Sequence, residues 1–266
     1  MPDFAIMNNN LKRLVDNSYQ AIDGGAYDTE VSFSHETRSL RKAIGLCSHA
    51  PIITEVKFAS PSEGKIRCKE EPAKIATTMV ESGAIGISVL TQPSLFDGSL
   101  EYLATIRRTL PAISLLMKDI VVSKVQIDAG KKVGADCVLL IKSIFDQNLA
   151  ESGLEALLEH AKSRSLEVLV EVHNEQEFAD ALRAKHDLVG INNRNLDSLQ
   201  VDISNTEKLL KRYGKGNSVI ISESGISSPE DIMYLKSAGS DAFLVGTSIM
   251  KAPDIGQKIA ELYYAL

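Results

Sequence analysis

From about residue 50 onward, short uninterrupted apolar runs alternate with longer stretches in which apolar positions recur every three or four residues. The apolar runs cover 52–57, 84–90, 112–118, 135–141, 166–172, 187–192, 218–223 and 241–246. Most are rich in Val, Ile and Leu and lack strict alternation, which is the pattern of parallel strands covered on both faces. Eight such runs separated by helical patterns predict an α/β fold, a closed (β/α)8 TIM barrel. An open doubly wound sheet is the architectural alternative. It would more often carry a Gly-rich turn after its first strand, where this chain reads ASPSEG.

Helix start and stop signals fit the same parse. Ser204 to Glu207 reads as a capping box, with Gly214 as the stop after KLLKRY. Ser228-Pro229-Glu230 reads as N-cap, first-turn proline and acidic first turn, closing at Gly239. Asn174 with Glu177 caps the helix after the fifth strand. ESGAIGISVL, KVGADCVLL and SAGSDAFLV each end a helix at Gly and run straight into a strand, one βα unit echoed along the chain. Residues 1–50 hold two helix-like pieces, around 10–21 and 35–47, joined by a polar, Gly-bearing connection. Each is too short to bury a core of its own. They are read as a helical extension packed on the barrel, whose strands begin at about residue 51, so that 1–266 forms one domain.

Length agrees with this, since one such barrel typically occupies about 250 residues. With 44% apolar and 24% charged residues the composition is that of an ordinary globular protein. A net charge of −6 argues against nonspecific nucleic-acid binding, which needs a broad basic surface. It leaves room for a small anionic substrate, because a few lysines in a pocket set the local field. Cys47, Cys68 and Cys137 form no CxxC pair, and Cys137 in ADCVLLI reads as a core hydrophobe. The opening residues have no apolar leader core, and no run of 18 apolar residues occurs. The expectation is a cytoplasmic protein without a membrane span, acting as a monomer or homo-oligomer on a small phosphorylated molecule.

In a barrel of this kind the chemistry sits at the C-terminal ends of the strands. Glu55 and Lys57 end the first strand and, two residues apart, point the same way. Lys118 stands at the tip of the third strand and Glu171 near the end of the fifth. Asn192 and Arg194 follow the sixth, and Glu223 and Ser224 the seventh. Ion pairs filling the barrel mouth are the structural alternative. Desolvating so many charges is costly, however, and an apolar mouth would serve stability as well or better. Converging lysines and glutamates are what proton transfer on an anionic substrate requires. After the last two strands come Ser224-Gly225-Ile226 and Gly246-Thr247-Ser248, where glycine lets backbone N–H groups approach a phosphate. His173 lies next to Glu171 in the alternation and is read as facing the opposite side of its strand. His35, His49, His160 and His186 fall in helices or connections. No HxH or HExxH spacing occurs, so no metal site is expected, nor does any Gly-rich dinucleotide fingerprint or P-loop suggest a cofactor.

In IITEVKFASPSEG, LTQPSLFDGSLEYL, LLMKDIVV, GADCVLLI, LVEVHNEQE, VGINNRNL, ISESGIS and FLVGTSIM the chain resembles the indole-3-glycerol-phosphate synthase family, from the N-terminal extension to the eighth unit. The resemblance implies lyase chemistry in tryptophan biosynthesis without a cofactor. The ring carbon of 1-(2-carboxyphenylamino)-1-deoxyribulose 5-phosphate attacks its ketone, and CO2 and water are lost. It further implies that Lys118 is the general acid at the ketone oxygen. Glu171 is its partner in proton transfer and stabilises charge on the anilinic nitrogen. Lys57 is a second acid, at dehydration or at an anionic group of the substrate, and Glu55 orients Lys57 or acts as base. Asn192 positions hydroxyls, and Glu223 and Ser224 line the same mouth. Ser60, Gly225, Gly246 and Thr247, with Arg194, take the phosphate, and Phe96 packs on the anthranilate ring. Two positions depart from the family pattern. Phe58 stands where a basic residue is common, and Ile120 where Phe is common, which keeps an apolar wall but loses ring stacking.

Three rivals stay in view. A Schiff-base aldolase would use Lys118 as a nucleophile. A phosphoribosylanthranilate isomerase would share the barrel and phosphate site, but it normally lacks the extension and uses a cysteine–aspartate pair not found at these tips. A noncatalytic phosphometabolite-binding barrel would not need Lys118 and Glu171 together.

Overall fold

The computed structural model describes residues 10–196 and 198–266. Eight parallel strands close into a barrel: β1 (Ile52–Val56), β2 (Gly86–Leu90), β3 (Ser114–Lys118), β4 (Cys137–Ile141), β5 (Glu167–Val172), β6 (Leu188–Asn192), β7 (Val219–Glu223) and β8 (Ala242–Val245). Each pairs with its neighbour in sequence, and β1 closes the ring against β8 through Ile52↔Phe243, Ile53↔Leu244 and Thr54↔Val245. Every apolar run read from the sequence contains one of these strands. β1, β2, β4, β6 and β8 are buried along their whole length. That is why they read as continuous apolar runs rather than alternating ones. Helices cover the outer face. Among the described residues no helix is long and apolar enough to cross a membrane.

The caps explain where most helices start. Ser123 and Ser228 form capping boxes with Gln126 and Asp231, and Asn174 accepts from the Glu177 backbone N–H. One expected box is absent. The helix Ser204–Tyr213 begins at Ser204 itself, and Ser204 makes no cap. Asp202 does the work instead, its carboxylate accepting from the Ser204 N–H at 3.0 Å. The cause lies upstream. Residue 202 is tied back to Asn193 through its own N–H, and Arg194 bridges Val201, which fixes the turn before the helix.

The N-terminal segment carries α1 (Asn10–Asp23) and α2 (Leu40–Leu46). The second helix is shorter than its sequence pattern suggested. Residues 37–39 are drawn out across the bottom of the barrel, where Arg38 N–H donates to Asp136 (2.9 Å) and Ser39 Oγ to Glu167 (2.5 Å). Those long-range acceptors outcompete an early helical turn. At the opposite end of the barrel, α1 buries Leu11, Leu14 and Val15. Ser18 Oγ donates to the Ile120 carbonyl at 2.5 Å, and Tyr27 Oη to both oxygens of Asp119 at 3.0 Å. Gln126 Nε2 completes this buried cluster by donating to Ser18, Tyr27 and Ile120. The extension thus reaches from the residues after Lys118 at the mouth to the floor of the barrel.

Candidate active site

A cavity of about 370 Å³ opens at the C-terminal ends of the strands, within the range usual for small-molecule sites. Glu55, Lys57, Ser60, Phe96, Lys118, Glu171, Asn192, Arg194, Glu223, Ser224, Gly225, Gly246 and Thr247 all line it. The period of two explains why the tips converge. Lumen-facing residues on β1, β3, β5, β6 and β7 end at one level, with Asn192 in register with Glu223.

Lys118 is the hub. Its ammonium lies 2.9 Å from Glu171 and 3.4 Å from Glu223. Burial opposes its charge, but the carboxylates of Glu171, Glu223 and Glu55 outweigh that, so it is held protonated well above the usual lysine range. Glu171 also accepts from Asn192 Nδ2 at 3.1 Å. Burial pushes the Glu171 carboxyl upward, yet Lys118 and His173 overcome this and keep it ionised well below the usual carboxylate range. Glu223 goes the other way. Its burial, with Glu171 and Glu55 nearby, outweighs the pull of Lys118 and raises it to about 8. The two carboxyls flanking one ammonium are therefore pushed in opposite directions, the kind of separation an acid–base site uses. Lys57 pairs with Glu55 beside them, as the spacing within β1 requires.

Two glycines make room for this arrangement. A Cβ on Gly190 would stand 2.2 Å from Glu223 Oε1, and one on Gly246 2.4 Å from Glu55 Oε1. Gly246 entered the sequence reading as a backbone approach to phosphate. The structure adds that it makes room for the Glu55 carboxylate. Gly190 was missed, and a glycine inside an apolar strand was the signal that could have found it. After β7, Ser224 and Gly225 both take left-handed backbone (φ 68 and φ 83), with Asn193 Nδ2 donating to the Ser224 carbonyl at 3.1 Å. A Cβ on Gly225 would meet Val201 and Ile203, so Gly is required there.

Apolar side chains line the cavity beside the charged tips, Leu90 in register with Lys118 and Ile141 with Glu171, and Phe96, Ile120 and Leu139 complete this apolar wall. Phe58 is not part of it. That ring is buried in the core and meets Tyr102 edge-on at 5.5 Å. Arg194 Nη1 donates to the Leu199 carbonyl at 2.9 Å, which holds the guanidinium at the rim. From α1, Asn10, Arg13 and Leu14 also line the cavity. The sequence reading named none of them, because no local pattern places a helix of the extension over the mouth.

His173 requires a correction. Its ring does not face away from Glu171, for Nε2 lies 3.1 Å from Glu171 Oε1. It follows Val172, the last residue of β5, where the chain leaves the pleat and alternation no longer dictates direction. Behind it stand Glu177, 3.5 Å from Nδ1, and Ser143.

Comparison with known proteins identifies the family. The family model described as indole-3-glycerol phosphate synthase matches residues 6–262. A relative of that name from Acetivibrio thermocellus is 43% identical over 210 residues, covering 79% of this chain and 78% of its own length. One from Bacillus cereus is 42% identical over 227 residues, covering 85% and 87%. Among solved structures, thiamine phosphate pyrophosphorylase from Pyrococcus furiosus superposes with a TM-score of 0.62 at 16% identity, covering 85% of this chain and 97% of that one. At that identity the likeness concerns the fold alone.

Proposed function

The chain belongs to the indole-3-glycerol phosphate synthase family, and on that premise we propose how its barrel mouth closes an indole ring. The substrate is 1-(2-carboxyphenylamino)-1-deoxyribulose 5-phosphate, and the overall change releases one CO2 and one water, making the enzyme a carboxy-lyase. One observation supports the reading above others: the Lys118 ammonium lies between the carboxyls of Glu171 and Glu223, 2.9 Å and 3.4 Å away, beside an apolar wall.

The aromatic ring rests on that wall, with Phe96 and Ile120 against its faces. The ring carbon bearing the carboxylate attacks the ketone carbon, and the ketone electron pair moves onto oxygen. Lys118 donates its proton there as the bond forms. Positive charge developing on the anilinic nitrogen is stabilised by Glu171, which Asn192 holds in place at 3.1 Å. Loss of CO2 returns its bonding electrons to the ring. The former ketone oxygen then leaves as water with a proton from Lys57, while Glu55, paired with that ammonium, takes a proton from the neighbouring C1′ methylene so that the C–H electron pair becomes the ring double bond. The phosphate is assigned to Ser60, Gly225, Gly246, Thr247 and Arg194, the hydroxyl- and glycine-bearing part of the mouth. A lysine held protonated is a poor amine nucleophile, which weighs against the Schiff-base alternative.

The test is conversion of authentic substrate by the purified chain, followed by indole fluorescence. A folded protein that produces no indole would overturn the reading.

A further inference from the structure

His173 does not line the cavity, yet it is the buried group in contact with the far side of Glu171. Its side chain is 8% exposed and sits between two carboxylates, with Glu171 Oε1 at 3.1 Å from Nε2 and Glu177 Oε2 at 3.5 Å from Nδ1. Glu177 is itself fastened. Ser143 Oγ donates to it at 2.7 Å, Asn174 Nδ2 at 2.6 Å and the His173 backbone N–H at 2.8 Å. It is also the residue whose own N–H the N-cap Asn174 receives. One imidazole thereby stands between a helix start and the site carboxylate, its buried Nε2 at ion-pair distance from Glu171 and without a hydrogen-bond partner.

We propose that His173 is a positioning residue, an imidazolium clamped by Glu177 that aims Glu171 at Lys118 and shares the charge of Glu171 with it. The clamp has a chemical consequence. A carboxylate serving Lys118 alone would bind that ammonium more tightly and make it a poorer acid. With a second cation on its other oxygen, Glu171 stays ionised while releasing part of its hold on Lys118. Glu171 on β5 and Glu177 on the following helix are the charged groups facing the ring. From Ser204–Tyr213 the Asn205 amide reaches this corner, donating to the His173 carbonyl at 3.3 Å. Burial opposes the imidazolium, but the two carboxylates prevail and raise it to about 9.

This role rests on the acid–base reading of the site, so the test has one arm that needs no turnover. In the free protein, the His173 ring resonances followed by NMR against pH should show an imidazolium that persists through neutrality. Glu177→Gln should lower that midpoint. In the activity arm, His173→Gln should lower kcat by on the order of 10–100-fold with KM changed less than about threefold, as expected for a misplaced reacting group. Glu177→Gln, which keeps one acceptor oxygen, should lower kcat in the same direction by a smaller factor. A ring that is neutral at pH 7, or a His173→Gln enzyme with kcat within twofold of wild type, overturns the clamp. So does a kcat that returns to wild type, per folded molecule, below the variant's melting range. If wild-type protein makes no indole, the reaction falls, and the ring titration still decides the clamp.

Discussion

Two buried clusters of charge lie at opposite ends of this barrel, and they are built on different principles. At the floor, Arg107 and Asp136 pair with side chains that are 2% and 0% exposed. Every direction is used there. Arg107 Nε donates to the Gly134 carbonyl and Nη1 to those of Pro111 and Ile113, while Asp136 accepts from the Arg38 and Leu115 N–H groups. At the mouth, three carboxylates face two lysines, and Glu223 Oε1 is buried with no hydrogen-bond partner. At the floor the Arg107–Asp136 pair itself is saturated, although the His35 ring 3.3 Å from Asp136 has no hydrogen-bond partner on either nitrogen. The mouth keeps spare bonding capacity and mismatched protonation states, and it opens onto a cavity. The floor pair is satisfied within the chain, whereas the mouth keeps a buried carboxylate oxygen without a partner, which on the proposed function a substrate would complete.

The largest effect that could break this contrast is at the hub. Lys118→Ala should cut kcat by roughly 10²–10⁴-fold, the span for a lost general acid, while the protein stays folded by circular dichroism. Near wild-type turnover would remove Lys118 from the chemistry. At the floor the reverse is expected. Asp136→Ala leaves a buried guanidinium unpaired and should cost about 3–5 kcal/mol in denaturant unfolding, with kcat of the folded fraction within a few-fold of wild type. A matching loss of kcat at full folding would show that the two ends are not independent.

Glu223 sharpens the comparison through pH. Its folded carboxyl is raised to about 8 from an ordinary 4.5, so the folded state holds a proton that the unfolded chain releases earlier. That contribution to stability is whole below about pH 4.5 and is lost as pH rises through 8. Glu223→Gln should therefore gain in melting temperature relative to wild type as pH is raised across this window. A gap that does not change with pH would mean that Glu223 is already ionised in the folded protein. The smallest effect expected is at Ser228, which caps a helix and touches neither cluster. Ser228→Ala should cost about 1 kcal/mol in urea unfolding and leave kcat unchanged. A rate effect there would mean that the mouth responds to general loosening of the barrel.

Much of this molecule was legible in the chain. The eight strands could be read because burial on both faces leaves an unbroken apolar run. Lys118, Glu171 and Asn192 could be read because charged or polar residues ending such runs have one place to go. The failures are equally specific. Ser204 looked like a cap until Asp202 was held nearer the helix start by its link to Asn193. His173 looked outward because alternation was applied one residue beyond the strand. Gly190 looked like any strand glycine, since only the neighbouring strand shows the carboxylate that occupies its missing Cβ. Arg13 carried no signal at all, because α1 reaches the mouth through packing made more than a hundred residues away, such as Ser18 on Ile120.

By itself the sequence determined the periodicities, and with them the barrel, the order of its strands and the residue types at their tips. These are local properties, since each residue's pattern with its near neighbours decides strand or helix and which face is buried. Tertiary structure alone decided how the tips act on one another. It pushed Glu171 toward the anion and Glu223 toward the neutral acid, brought His173 behind one of them, and set Arg13 at the rim. Such differences depend on desolvation and on charges a few ångströms apart, contributed by strands distant in sequence, and distances of that kind exist only once the barrel has closed.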